Sequence, residues 1–390
     1  MPTADVISDY PDRQVLVIGD TIVAHALALL LRRTGYDPLF VTGQGQSTES
    51  QLTFLCPAAY RVLHALGAGE HLRDNGVALE RIAVQRVDSR GDTATTLSSS
   101  ANAERTAAVL ARTKPLKRAL EPPSPNDLRR HERCVEELSQ TEDGVAVEFE
   151  DGIREWFDVV VDASGADPSI RSDSHIPPRH VSLTQYETTI DEGSDRNYLR
   201  EDWYPNALVQ YLPRPDSSGT IQRVTLPDSD SRAALNHDCD GEPRIPLAEF
   251  EDELTEHERM TVRQTRLSTP DLARDWWGNG RVVFCGPSAY PVAPASGCRA
   301  SFGIGDALAF VSELTHETRS PTEIVDAYAT CRVDRFETLR ETAEAARTGH
   351  DYPPPDTNQT SLGGLALFRT VALGSFLDTS LSPLRLDALG

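Results

Sequence analysis

Residues 14–43 read QVLVIGDTIVAHALALLLRRTGYDPLFVTG, and the fold class is predicted first from this segment. Val15 to Ile18 form a short apolar run, which predicts a strand buried on both faces of a parallel sheet. Gly19 follows as the turn, and apolar residues then recur at helical spacing until Thr34-Gly35 ends the helix. Leu39 to Val41 predict a second buried strand. The chain therefore opens with a β-α-β unit, an arrangement that commonly holds a dinucleotide.

The turn after the first strand carries part of the dinucleotide fingerprint G-x-G-x-x-G/A. Gly19 supplies the first position and Ala24 the third. Thr21 stands at the second, where its branched side chain is expected to lie in the path of the phosphates. Asp20 adds a carboxylate beside a helix N-terminus, a place that favours an anion. Thr42 replaces the acidic residue that holds the ribose at the end of the second strand. The residues therefore predict the fold and leave the ligand open.

The charge of the chain is strongly negative. Its 390 residues include 60 acidic residues against 38 lysines and arginines, for a net charge of -22. Lys114 and Lys117 are the only lysines, so nearly all of the positive charge is arginine. We interpret this as a halophilic surface, on which salt screens the repulsion between carboxylates, and a merely acidic cytosolic protein is the alternative. Nucleic acid is not expected as a partner, because no basic patch is present to neutralise phosphates.

The cysteines and the N-terminus predict a cytoplasmic protein. The six cysteines form no C-x-x-C pair, which favours reduced thiols over disulfides. The N-terminal residues are polar and acidic, unlike a signal peptide, and the longest apolar run is too short to span a bilayer, so no integral membrane association is expected. The His-Asp-Cys-Asp run at residues 237–240 is interpreted as a turn, so no metal site is predicted.

Further strands are predicted along the chain. Residues 81–87 and 94–97 predict a hairpin, and residues 134–138, 145–149 and 155–161 predict a three-stranded meander. From about residue 175 the period-two alternation of several segments predicts an antiparallel sheet. Residues 281–285 predict a buried strand that leads through Gly286 to a helix starting near Ala300. A Pro-rich linker at 353–355 and an amphipathic helix at 362–377 are predicted near the end.

The order of these segments resembles the class A flavoprotein monooxygenases, the para-hydroxybenzoate hydroxylase-like group that includes geranylgeranyl reductases. Four stretches carry the resemblance, in residues 15–41, 55–76, 149–172 and 280–314. The resemblance implies an α/β fold with a Rossmann-like, three-layer FAD-binding domain and an inserted antiparallel sheet that covers the substrate. It assigns residues 1–80, 100–175 and 270–345 to the FAD-type domain, residues 81–99 and 176–268 to the substrate sheet, and 346–390 to a tail.

The same resemblance implies the site residues. The family has an aspartate after Gly286 that binds the ribityl chain, and here that position is Pro287. Arg299 stands in the family's G-x-G near the flavin, and Arg112 lies in a segment that reaches the flavin. No catalytic residue is assigned. The residues expected to line the cofactor are Gly19, Thr21, Ala24, Thr42, Arg112, Gly286, Pro287, Pro294, Gly297 and Arg299.

The function that the resemblance implies is an FAD-dependent oxidoreductase, of the NAD(P)H-linked monooxygenase kind. Its substrate is expected to be a hydrophobic or aromatic small molecule. The departures at Thr21, Thr42 and Pro287 leave a second hypothesis open, in which a flavin-free relative keeps the scaffold and acts as a binding or partner protein. The sequence does not give the oligomeric state.

Overall fold

The structure is a computed structural model that describes residues 13–43, 52–87, 93–100, 108–122, 128–165, 178–190, 197–204, 207–215, 219–227, 258–267, 274–289, 299–316 and 318–333. Its strands are, in chain order, β1 Val15–Ile18, β2 Leu39–Val41, β3 Leu52–Leu55, β4 Val77–Leu79, β5 Arg81–Val87, β6 Thr93–Ser100, β7 Ala108–Arg112, β8 Arg129–His131, β9 Val135–Gln140, β10 Val145–Phe149, β11 Arg154–Phe157, β12 Val159–Asp162, β13 Pro178–Ile190, β14 Tyr198–Tyr204, β15 Ala207–Pro213, β16 Thr220–Pro227, β17 Glu258–Leu267, β18 Gly278–Asn279 and β19 Val282–Phe284.

The α-helices in the described residues are α1 Ile22–Arg33, α2 Pro57–Leu63, α3 Gly69–Asn75, α4 Thr113–Ala119, α5 Arg299–Leu314 and α6 over residues 321–333. A π-helical turn, His64–Ala68, joins α2 to α3, and short 3-10 turns lie at Arg274–Trp276 and Gly286–Ser288. The opening β-α-β unit and the strand-to-helix step near residue 285 are therefore confirmed.

A six-stranded sheet forms the centre of the fold, with the order β18-β19-β12-β1-β2-β8. β1 is paired in parallel with both β12 and β2, and β12 with β19. Every residue of β1 is at most 1% exposed, because helices cover the sheet and α1 packs on α5. The prediction of a strand buried on both faces is confirmed.

The predicted meander needs one correction. The single strand expected over residues 155–161 is two strands, which belong to different sheets: β11 pairs with β10, and β12 pairs with β1. The break falls at Asp158, whose carboxylate accepts a hydrogen bond from the backbone N–H of Gln14 at 2.8 Å. Asp158 is the only charged residue between Trp156 and Val161, and the apolar residues on both sides of it favoured a single strand, although β11 is partly exposed and β12 is fully buried.

A seven-stranded sheet has the order β17-β13-β16-β15-β14-β5-β6, so its strands come from residues 81–100 and 178–267. The pairs are antiparallel except for β14 with β5, which are parallel. That one pair differs from the purely antiparallel sheet that the sequence predicts. The difference arises because the hairpin of β5 and β6 comes early in the chain and lies at the edge of the sheet, where β5 pairs with β14 from a much later segment. A small sheet, β3-β7-β4, lies beside α2 and α3.

Several sequence-based expectations lie outside the described residues, including the turn at 237–240, the linker at 353–355 and the helix at 362–377. In the part of the chain that is described, no helix has the length and apolarity to cross a membrane, and no group of His, Cys, Asp and Glu is arranged to hold a metal ion. The four described cysteines are free thiols, and burial raises the pKa of Cys56 and of Cys285.

Candidate functional site

The carboxyl ends of four parallel strands meet at one edge of the central sheet, where backbone hydrogen bonds join the loops that follow them. Gly19 N–H donates to the Val41 carbonyl at 2.8 Å, and Ala163 N–H donates to the Ile18 carbonyl at 2.9 Å. Cys285 N–H donates to the Asp162 carbonyl at 2.9 Å. The turns after β1, β2, β12 and β19 are therefore held as one surface, the usual ligand-binding edge of such sheets.

Gly19 is required by the close approach of two of these turns. Its φ is 127°, and a Cβ at this position would come within 2.5 Å of the Ser164 Cα. Because the obstacle is backbone, no side-chain movement relieves it. The glycine is therefore explained by the packing of the β1 turn on the β12 turn, as well as by any ligand.

Thr21 does not occupy the place that the sequence suggested. Its side chain is 6% exposed, and its hydroxyl donates to the Ala163 carbonyl at 2.7 Å. The same oxygen accepts from the Ala24 N–H at 3.1 Å, which makes Thr21 the N-cap of α1. The hydroxyl is thus turned into the protein, and the interpretation that this side chain blocks a phosphate loses its geometric basis.

Asp20 is the residue of the turn that carries charge at the surface. Its carboxylate accepts a hydrogen bond from Lys117 at 2.7 Å and one from His25 Nε2 at 3.0 Å, and its side chain remains 35% exposed. Although partial burial raises the pKa of Asp20, the hydrogen bonds from His25 and Lys117 lower it to about 2. Asp20 is therefore ionised at neutral pH, at the start of α1.

Gly286 lies where α1, α5 and the turn after β19 come together. Its φ is 60°, and a Cβ here would lie 3.2 Å from the Gly303 Cα. Its N–H donates to Oδ2 of Asp306 at 2.7 Å, and Asp306 is fully buried and paired with the buried Arg332. An ion pair between α5 and α6 thus fixes the turn at Gly286.

Ser288 joins the same turn to the end of β12. Its hydroxyl accepts from the Gly165 N–H at 2.8 Å, donates to the Gly165 carbonyl at 2.9 Å and lies 3.2 Å from Asp162 Oδ1. Ser164 Oγ is buried and has no hydrogen-bond partner among the described residues. Gly165 has a φ of 108°, and a Cβ there would meet no described atom within 4 Å. Among the described residues, the β12 turn therefore has no neighbour beside the Cβ position of Gly165 and no hydrogen-bond partner for the Ser164 hydroxyl.

The other residues expected in the site are placed as follows. Thr42 follows β2, and its N–H donates to the His131 carbonyl at 3.0 Å. Arg112 ends β7 directly before α4, and Arg299 begins α5; both are half-buried. Pro287 is the middle residue of the 3-10 turn, where its missing N–H is tolerated. Pro294 and Gly297 lie outside the described residues.

The structure thus brings Gly19, Thr21, Ala24 and Gly286 to the carboxyl edge, and it adds residues that no sequence motif indicated. Lys117 stood out only as one of two lysines, and its pairing with Asp20 spans 97 positions. Asp306 is the single acid in the first ten residues of the apolar helix α5, a signal that was available in the sequence.

The seven-stranded sheet carries a second set of buried polar groups. Glu201, Gln210 and Arg223 are neighbours in register on β14, β15 and β16, and all three are at most 3% exposed. Gln210 Nε2 donates to Glu201 Oε1 at 2.8 Å. Leu199, Leu212 and Ile221 form an adjacent buried row. This face of the sheet therefore combines an apolar surface with hydrogen-bonding groups.

Comparison with known proteins shows which fold this is. No family model matches the chain. Solved structures of similar fold include Klebsiella pneumoniae HpxO complexed with FAD and uric acid, with a TM-score of 0.64, 19% identity and coverage of 97% of this chain and 99% of that one. CtdE in complex with FAD and a substrate has a TM-score of 0.65 and 13% identity, and the match covers 94% of this chain and 99% of that one. The chain therefore has the fold of these FAD-bound proteins, which confirms the resemblance at the level of the fold.

One relative is also detected by sequence. The aurachin C monooxygenase/isomerase of Stigmatella aurantiaca is 24% identical over 219 residues, which are 52% of this chain and 54% of that protein. The chain therefore matches about half the length of this relative.

Proposed function

We propose that the chain is an FAD-dependent oxidoreductase of the monooxygenase kind, which acts on a hydrophobic or aromatic small molecule and takes electrons from NADH or NADPH. The observation that carries the proposal is the surface at the carboxyl edge, where the turns after β1, β2, β12 and β19 meet at the N-terminus of α1. The similarity to folds that hold FAD supports it, as does the monooxygenase relative.

The residues at this edge are compatible with FAD. No described atom lies within 4 Å of a Cβ built on Gly165, and the buried Ser164 hydroxyl has no partner among the described residues, so both suit a polar ligand at the β12 turn. The N-terminus of α1 favours the cofactor's diphosphate, and Lys117 adds a positive charge beside it. We assign Gly19, Thr21 and Ala24 to shaping that turn, because their contacts hold α1 at this angle to the sheet.

The other residues expected in the site are assigned to the ribityl, ribose and flavin parts of FAD. Gly286 and Pro287 would approach the ribityl part of FAD through backbone and ring, because no carboxylate stands there. We place Thr42 near the adenine ribose. We place Arg112, Arg299, Pro294 and Gly297 near the flavin. When bound, FAD supplies the electron transfer and the reaction with oxygen. The chain's residues bind it, orient it and exclude water.

We place the substrate against the seven-stranded sheet, which we infer to be a separate substrate-covering domain built from residues 81–99 and 176–268. The buried row of Leu199, Leu212 and Ile221 suits an apolar ring. Glu201, Gln210 and Arg223 offer hydrogen-bonding groups for a polar substituent on that ring.

An absorption spectrum tests the proposal directly. The protein is purified in multimolar salt and titrated with FAD, and a red-shifted, structured flavin band is expected, which bleaches when NADH or NADPH is added without oxygen. Acceleration of that bleaching by one of a panel of aromatic compounds would support a monooxygenase. A protein that leaves the FAD spectrum and fluorescence unchanged at every salt concentration contradicts the proposal and favours a flavin-free binding protein.

A further inference from the structure

We propose that the carboxylate of Asp20 limits the affinity of this chain for the cofactor's diphosphate, and that the ammonium of Lys117 offsets this effect. The inference rests on the proposed function, because it concerns the site assigned there to FAD. It identifies Asp20 and Lys117 as opposing determinants of one binding step.

Asp20 places a negative charge at the N-terminus of α1. Asp20 lies between Gly19 and the N-cap Thr21, directly before α1. A helix N-terminus attracts an anion, and a fixed carboxylate at the same place competes with that anion for the helix dipole. Because the side chain is 35% exposed, an incoming ligand meets its charge without much covering protein.

Lys117 places a positive charge against Asp20. Its Nζ lies 2.7 Å from Asp20 Oδ2 and 2.7 Å from the Asp20 backbone oxygen. Its side chain is only 14% exposed, so the ammonium is held in place. An ammonium has three N–H donors, and these two oxygens take two of them. The third N–H remains available for a diphosphate oxygen that approaches the start of α1.

The chain as a whole makes these two local charges important. At a net charge of -22, the long-range field of the protein opposes any anion. Salt screens that long-range part, since the Debye length is about 3 Å at 1 M, but hydrogen-bonded contacts are screened much less. Measurements in 2 M KCl therefore report mainly the local contribution of Asp20 and Lys117.

The chain provides a matched control. Lys114 is the other lysine, lies on the same helix α4 and is exposed. Lys114→Met and Lys117→Met remove the same charge from the same helix, so a difference between them reflects the pairing with Asp20 and not net charge. Asp20→Asn is isosteric and removes only the charge of the carboxylate.

The experiment measures the dissociation constant of FAD by fluorescence quenching in 2 M KCl for the wild type and these variants, with riboflavin as a probe that lacks the diphosphate. Asp20→Asn should bind FAD roughly tenfold more tightly, and Lys117→Met roughly tenfold more weakly. Lys114→Met should stay within about twofold of the wild type, and Lys117→Arg should retain most of the affinity. Riboflavin binding should not change in any variant. Circular dichroism confirms that each variant is folded.

The outcomes separate the inference from the proposed function. If the wild type binds FAD and Asp20→Asn binds it equally or more weakly, the inference is wrong and the proposed function stands. If only Asp20→Asn binds FAD, the inference is supported, while the proposed function fails for the native chain. If neither binds FAD, both are wrong. An equal response of riboflavin and FAD also contradicts the inference, because riboflavin has no diphosphate.

Discussion

The ammonium of Lys117 contacts Asp20 twice, at 2.7 Å from the carboxylate and at 2.7 Å from the backbone carbonyl oxygen. The two residues are 97 positions apart, and their contact joins α4 to the turn that precedes α1. A charge pair therefore holds the segment after β7 against the strand–helix junction that opens the chain.

This contact predicts an acid dependence of stability. Partial burial raises the pKa of Asp20, but the hydrogen bonds from His25 and Lys117 lower it, and the net value is about 2 against an ordinary 3.8. A group with a lowered native pKa stabilises the fold above the unfolded pKa, and the contribution is lost as pH falls from about 4 towards 2. Because Asp20 is partly exposed, we expect Asp20→Asn to cost only about 1 kcal/mol at pH 7.

Urea unfolding of the wild type and Asp20→Asn from pH 7 to pH 3 measures this difference, which should shrink at the acid end. Asp37→Asn is the control, because it breaks an exposed pair with Arg32. A difference between the wild type and Asp20→Asn that is constant over this pH range would contradict the assignment.

The structure changes what is expected of a substitution at Thr21, from an effect on flavin affinity to an effect on stability. The sequence indicated a Thr21 side chain in the path of the phosphates, so that its removal in Thr21→Gly would tighten flavin binding. Because the hydroxyl caps α1 and bonds the Ala163 carbonyl, we expect Thr21→Ala and Thr21→Gly to lower the free energy of unfolding by about 1–2 kcal/mol. Thr21→Ser keeps both hydrogen bonds and should remain close to the wild type. Denaturant midpoints distinguish the three variants, and an unchanged Thr21→Ala would show that the cap contributes nothing.

A substitution at Gly19 is expected to lower stability more than one at Thr21. Gly19→Ala combines a φ of 127° with a Cβ 2.5 Å from the Ser164 Cα, so we expect a loss above about 3 kcal/mol or failure to fold. Gly152 has a φ of 77° with no described atom within 4 Å of its Cβ position, so Gly152→Ala should cost only about 1 kcal/mol. Thermal unfolding of both variants distinguishes the stability cost of the close approach to Ser164 from the cost of a left-handed backbone conformation. Equal losses would mean that the contact with Ser164 is relieved by backbone movement.

The local pattern of the sequence was sufficient for much of the fold. The strand Val15–Ile18, the helix after it and the second strand were predictable, because periodicity and turn residues are local signals. The split at Asp158 was not, since it depends on a hydrogen bond to Gln14 from a distant part of the chain. The parallel pairing of β5 with β14 was hidden for the same reason.

The candidate site was also only partly predictable from local sequence patterns. A motif fixes which residues stand at the turn, so Gly19, Thr21 and Ala24 were found from their spacing. It does not fix the direction of a side chain, and Thr21 was therefore interpreted as facing a ligand although its hydroxyl bonds Ala163. Lys117 and Arg332 reach the site region only through tertiary packing, which no spacing rule encodes.

The buried ion pair between Asp306 and Arg332 gives the last prediction. Both residues are at most 2% exposed, and Asp306 also accepts the Gly286 N–H, so removing one partner leaves a buried charge without compensation. We expect Arg332→Met to lower the free energy of unfolding by about 3–5 kcal/mol. Arg274→Met breaks an exposed pair with Asp326 and should cost at most about 1 kcal/mol.

A double-mutant cycle distinguishes the charge from the packing of the arginine. Asp306→Asn retains an oxygen for the Gly286 N–H and removes the charge, so Arg332→Met made in that background should cost clearly less than in the wild type. Denaturant unfolding of the four proteins measures this coupling. If the two substitutions are additive, Arg332 stabilises the fold through its packing alone, and the turn at Gly286 does not depend on the ion pair.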